Sequence, residues 1–179
     1  MTYFDFCYKR ISKILNVPTV KVGQFKSGGF GSKMKQIAER LVKHVADCGV
    51  MYVKIHNYHW HVGGAEFNRV HEMTESYYEE MTEAFDSLAE RLLQLGEKAP
   101  ATLKAYLALT GIKEEEGNSF TIKDVALSLK DDFEYILKEL HTTQKVAADE
   151  GDCTTDGIVS GIIAKLEKHV WMLKAILKN

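Results

Sequence analysis

His59, His71, Glu75, Asp86 and Glu90 are the residues whose types and spacing could do chemistry. Two imidazoles and three carboxylates form a nitrogen and oxygen donor set, which suits iron or zinc better than thiolate-loving metals or the all-oxygen shells of calcium and magnesium. Iron is the sharper reading of the two. Four of the five lie in one stretch. Between Asn68 and Leu95 there is no Pro or Gly, and Val70, Met73, Tyr77, Tyr78, Met81, Phe85, Leu88, Leu92 and Leu95 recur at three- and four-residue steps, which predicts a long amphipathic helix. His71 and Glu75 are four apart, Asp86 and Glu90 are four apart, and the eleven steps from Glu75 to Asp86 return to nearly the same helical face. One stripe carries four ligand types.

A single helix cannot close them round one ion, because eleven residues at about 1.5 Å rise separate Glu75 from Asp86 by roughly 16 Å. A second copy can. If two copies cross antiparallel about a two-fold axis near Glu80 and Met81, His71 and Glu75 of one face Asp86 and Glu90 of the other, and the site forms twice. His59 lies twelve residues before His71 across the breaker Gly63-Gly64, so an incoming helix ending near His61 would bring it back as a further ligand. Taken singly, Glu75, Asp86 and Glu90 read as solvated helix residues, and Glu90 with Arg91 as a surface ion pair. The joint pattern overturns that reading. The Glu-x-x-His pairs of classical di-iron bundles are absent, since none of the seven histidines has Glu three residues before it, and this favours a site between subunits.

The string HWHVGG, with His71, Glu75, Asp86 and Glu90 at twelve, sixteen, twenty-seven and thirty-one residues after His59 and ending AERLLQLG, resembles the Dps-type mini-ferritins, DNA-protecting proteins of starved bacteria. The likeness continues through ATLKAYLAL (101–109), EGDCTTD (150–156) and LEKHVWMLKA (166–175), covering residues 34–179. It implies an all-α, ferritin-like four-helix bundle with a short extra helix in the crossover, assembled as a hollow dodecamer. It further implies a ferroxidase centre at each two-fold interface, ferric mineral inside and hydrogen peroxide as the preferred oxidant. The family's ligands fall on His59, His71, Asp86 and Glu90, while Glu75 stands where the pattern usually has Asp. The longer side chain there could alter metal occupancy or site spacing. Acids in the last turn line iron-admitting pores in such shells, which points to Asp152 and Asp156, although the usual second Asp falls at Gly157.

The elements that must position these residues follow from the rest of the chain. With 179 residues, 45% hydrophobic and 27% charged, it makes one globular domain with enough apolar material for a core. Only Pro18 and Pro100 interrupt it, which favours a mostly helical bundle. A first long helix is expected over 34–61, a short one over 100–109, a third long one over 121–148 with Val125, Leu129, Phe133, Ile136, Leu137 and Leu140 inward, and a last one capped by Thr154 or Thr155. Trp171, Met172, Leu173 and Ile176 are expected to close the core, and His169 to sit at a favourable helix C-terminus. His56 reads as packing or exposed, and Tyr58 and Trp60 as packing at a helix end. Cys7, Cys48 and Cys153 are odd in number and lack CxxC spacing, as in a reducing compartment, and Cys48 reads as a small buried residue. Neither a membrane span nor a secretory leader is apparent, so the expected compartment is the cytoplasm.

Charge divides the chain unevenly. The net charge is −2, yet residues 1–35 carry Lys9, Arg10, Lys13, Lys21, Lys26, Lys33 and Lys35 against Asp5 alone. We therefore separate a basic N-terminal extension over 1–33 from the bundle over 34–179. Before Pro18, Phe4, Cys7, Ile11, Ile14 and Leu15 have the spacing of a short amphipathic helix, and QFKSGGFGS (24–32) reads as a linker. An acidic bundle concentrates Fe²⁺ and repels nucleic acid, whereas a basic extension supplies phosphate contacts independent of base sequence. Three functions are thus open: an iron-oxidising storage protein, a non-specific DNA-binding nucleoid protein, and a structural helical oligomer.

Overall fold

The computed structural model describes residues 32–178. Five helices follow in order: α1 Ser32–His61, α2 Phe67–Gln94, α3 Leu103–Leu109, α4 Ile122–Glu150 and α5 Cys153–Ile176. No strand occurs among the described residues, apart from an isolated bridge between Val62 and Phe120. The expected basic extension lies outside the described residues, save Ser32 and Lys33, which open α1.

Glycines and side-chain caps bound several of the helices. Gly64, at φ 109°, makes the turn between α1 and α2, a left-handed conformation that favours glycine. Thr102 caps α3 by accepting from the Ala105 amide. Thr121 and Asp124 form a reciprocal capping box at the start of α4, and Gly151 at φ 71° ends that helix. The last helix corrects the expectation. Its N-cap is Asp152, whose side chain accepts from the Thr155 amide, because a carboxylate at that position meets both the free amide and the positive helix end.

α1 packs along α2 and α4 along α5, with α1 also lying on α4 and α2 on α5. Side-chain pairs set the directions: Arg40 and His44 near the start of α1 reach Thr143 near the end of α4, and Arg91 at the end of α2 reaches Asp152 and Thr155 at the start of α5. Neighbouring helices therefore run antiparallel, joined by one long crossover that carries α3. This is the ferritin-like arrangement.

The core is Leu41, Met51, Ile55, Tyr58, Leu88, Leu92, Leu129, Phe133, Leu140, Leu166 and Leu173, all fully buried. Its six expected α4 positions are all buried, as is Cys48. At the C-terminal end Leu173 is fully buried and Ile176 packs partly buried against the core, as expected. Trp171 is 68% exposed and Met172 37% exposed in this subunit. Those positions fall beside the inward stripe rather than on it. Arg91 does not pair with Glu90 but with Asp152, at 2.7 Å.

Candidate metal centre

The end of α1 is fixed before any ligand is considered. Gly63 N donates to Phe120 O at 2.9 Å and Phe120 N to His61 O at 3.2 Å, so the crossover closes on the turn after α1. Asn57 Nδ2 donates to the carbonyls of Glu115 and Gly117, and the Tyr58 hydroxyl bonds Ser128 Oγ at 2.7 Å and Glu115 Oε2 at 3.0 Å. Residues on both sides of His59 are held.

His59 and His71 then meet across the α1–α2 turn. Their rings stack at 3.6 Å between centroids and 18° between planes. His59 Nδ1 lies 2.9 Å from His71 O, and His71 Nδ1 lies 2.9 Å from His59 O. A carbonyl can only accept, so each Nδ1 carries a proton, and in the neutral ring each Nε2 is left with a lone pair. That is how a ligating histidine is normally oriented, one nitrogen tied to a backbone carbonyl and the other free for metal. His59 is buried, and its pKa is lowered, first by desolvation and also by the neighbouring rings of His71 and His56, against the opposing pull of the His71 carbonyl and Glu75. Burial thus favours the uncharged ligand form.

Thr74 completes this clamp, and sequence reasoning missed it. Fully buried, it donates from Oγ1 to Val70 O at 2.8 Å and presents the same oxygen to His59 Nδ1 at 3.2 Å. The available signal was a hydroxyl three residues after His71, where an inward residue would otherwise be apolar. Tyr78 stands edge-on to His59 at 5.3 Å and stacks flat on His56 at 3.9 Å. Trp60, by contrast, is 65% exposed.

Among the five expected ligands, one subunit brings together His59 and His71, with Glu75 near enough to act electrostatically on His59. Asp86 and Glu90 stand further along α2, exposed, roughly 16 Å from Glu75 by helical rise. Among the described residues, no three His, Cys, Asp or Glu side chains gather to hold a metal within one chain. The pore candidates are occupied differently: Asp152 is held by Arg91 and Thr155, whereas Asp156 accepts from Ser160.

Known proteins share this fold. A family model described as a ferritin-like domain matches residues 38–179. Antigen TpF1 of Treponema pallidum (strain Nichols) is 54% identical over 142 residues, which is 79% of this chain and 80% of that protein. Its crystal structure superposes with a TM-score of 0.83 at 50% identity, covering 86% of this chain and 98% of that one. The DNA protection during starvation protein of Helicobacter pylori (strain J99) is 41% identical over 138 residues, 76% of this chain and 96% of that protein. A Dps protein from Vibrio cholerae O1, described as a member of a broad superfamily of ferritin-like diiron-carboxylate proteins, superposes with a TM-score of 0.78 at 31% identity over 81% of this chain and 91% of that one.

Proposed function

The chain belongs to the ferritin-like family, in its Dps branch, and from that membership we propose that it is a ferroxidase and iron-storage protein. Fe²⁺ is the substrate, hydrogen peroxide the oxidant, and a two-fold interface between copies the place of reaction. The observation that carries this reading is the reciprocal clamp of His59 and His71, which ties both Nδ1 atoms and leaves both Nε2 atoms as donors. His59, His71 and Glu75 of one copy, with Asp86 and Glu90 of a second, supply the mixed nitrogen and oxygen set that Fe²⁺ or Zn²⁺ accepts.

Two Fe²⁺ give up one electron each, the O–O bond of peroxide breaks, and two protons complete two waters. Pairing the electrons avoids the hydroxyl radical that a lone Fe²⁺ would release. The carboxylates stabilise the gain of positive charge on oxidation, and an imidazole that ligates through a neutral Nε2 adds no charge of its own. Two-fold interfaces combined with three-fold contacts close a dodecameric shell around a mineral cavity. The relatives' diiron-carboxylate and Dps descriptions support this assignment. No helix among the described residues is long and apolar enough to cross a membrane, and we assign the protein to the cytoplasm.

Removing one ligand from each half of the shared site tests the function. The double variant His59→Ala, Asp86→Ala is expected to oxidise Fe²⁺ with peroxide at least roughly 100-fold more slowly, with unfolding temperature and oligomeric state retained. Unchanged oxidation contradicts the assignment and leaves a structural oligomer.

A second reading rests on the seven basic side chains of residues 1–35 and on the relative named for DNA protection. The extension binds DNA non-specifically through phosphates. Plasmid retardation at low salt that is lost when residues 1–33 are removed supports it, and no retardation at any salt removes it.

A further inference from the structure

Thr74 places a fully buried hydroxyl in the inward stripe of α2, between Val70 and Tyr77, where an aliphatic side chain would satisfy the core. Its hydrogen bonds have a direction. His71 O, 2.9 Å from His59 Nδ1, can only accept, so that nitrogen carries a proton and presents it also to Thr74 Oγ1 at 3.2 Å. A hydroxyl that accepts from His59 must turn its own proton elsewhere. Two carbonyls of the preceding turn receive it, Val70 O at 2.8 Å and His71 O at 2.9 Å. Every proton is thereby assigned, from the imidazole on α1 through the hydroxyl to the backbone of α2. The two histidines are not served alike. Among the described residues, His71 Nδ1 meets only the His59 carbonyl, whereas His59 Nδ1 meets a carbonyl and a hydroxyl.

We propose that Thr74 is a positioning residue for the metal centre, whose hydroxyl ties the His59 ring to α2 and keeps Nε2 of that ring unprotonated and free to bind an ion. Thr74 acts through His59 and touches no substrate. The inference rests on the metal-centre reading above and adds a dependence on one hydroxyl. The fold itself does not need that group. Val70 O stays in the α2 ladder, His59 Nδ1 keeps the His71 carbonyl, and valine matches threonine in shape. Thr74→Val therefore leaves no buried donor without a partner.

Cobalt(II) titration of the assembled full-length protein, followed by visible absorbance, tests this apart from any oxidation. Thr74→Val is expected to weaken Co²⁺ binding about tenfold, as loss of an outer hydrogen bond to a ligating histidine does, with the unfolding temperature level or raised. Thr74→Ser keeps the hydroxyl and drops the methyl, so it is expected to bind as the parent does. Parent affinity in Thr74→Val overturns the proposal. So does an equal loss in Thr74→Ser, which would mark the methyl and its packing rather than the hydroxyl. If valine prevents assembly, Thr74→Ala removes the same hydroxyl and must show the same loss. A His59→Ala control separates the two readings. Cobalt binding that His59→Ala leaves intact takes down the metal centre and this inference together; binding that it abolishes but Thr74→Val does not weaken removes only the role of Thr74.

Discussion

Two buried histidines on α1, His44 and His59, sit in regions that use the same side chain in opposite ways. His44 is 2% exposed and His59 7%, so burial alone does not distinguish them. Around His44 most polar groups are consumed within the chain, with His44 Nδ1 and one Asp47 carboxylate oxygen left without a hydrogen-bond partner. His44 Nε2 meets Thr143 Oγ1 at 2.7 Å, and Arg40 bonds the same hydroxyl and the Glu139 carbonyl. Lys43 bonds Tyr135, and Asp47 accepts from Thr110 and Gly111 to hold the crossover. Around His59 the inner nitrogen is consumed and the outer one is left. Between these two, the ligand candidate is the one whose Nε2 is unspent; His56 and His61 also spend Nδ1 on carbonyls, and what sets His59 apart from them is burial together with the stacked His71 ring. A structural histidine spends Nε2 on its own chain, as His169 does on Glu80 at 2.8 Å.

If that division is correct, damage to the His44 region costs stability and spares metal binding. The largest effect is expected from Gly111→Ala. A Cβ there would overlap the Tyr135 hydroxyl and ring carbon, and overpacking of this kind costs about 1–3 kcal/mol. Thermal unfolding should fall by several degrees while Co²⁺ affinity stays within about twofold. A stable variant with impaired metal binding would break the comparison.

Next in size is a pH effect specific to His44. Desolvation first, then the charges of Arg40 and Lys43, lower its pKa from 6.5 to about 3. Above 6.5 the ring is neutral folded or unfolded and contributes no pH dependence. As pH falls below 6.5 the unfolded chain takes up a proton that the folded one refuses, so stability is lost progressively towards pH 3. Between 6.5 and 5 the loss is about 2 kcal/mol, at about 1.4 kcal/mol per unit. Asp47 and Asp132, both raised chiefly by burial, contribute the opposite slope, so the measurement is the difference between the parent and His44→Gln across that range. Parallel stability curves would contradict the assignment.

The smallest effect sharpens the contrast from outside. His141 and Glu167 approach to 3.6 Å with both side chains more than half exposed. Glu167→Ala should change unfolding free energy by under about 1 kcal/mol, with oxidation and metal binding untouched. A larger change would mean that exposed pairs count for more here than the buried networks suggest.

The helices were legible in the sequence because their signals are local. Absence of Pro and Gly, apolar spacing and the Gly63-Gly64 breaker place the second long helix at 68–95, against Phe67–Gln94 observed. What stayed hidden depends on partners distant in the chain. Thr154 and Thr155 look like N-caps until Arg91, sixty-one positions before Asp152, is seen to fix Asp152 in that place. His169 reads as a dipole partner near a helix end, yet it is buried against Glu80 and Tyr77 on α2. His141 shows no trustworthy carboxylate in its own helix because its partner is on α5. At the candidate centre, residue types and spacing named the histidines and carboxylates. The clamp that selects Nε2 runs through backbone carbonyls, which side-chain identities do not reveal.

Locating iron by anomalous scattering in crystals soaked with Fe²⁺ tests the central claim most directly. Metal should lie at a two-fold axis-related interface, within about 2.2 Å of Nε2 of His59 or His71 and of a carboxylate oxygen from Asp86 or Glu90 of a second copy. Iron held wholly by one subunit, or imidazoles too far from the second copy's carboxylates for an ion or bridging water to span, would contradict it.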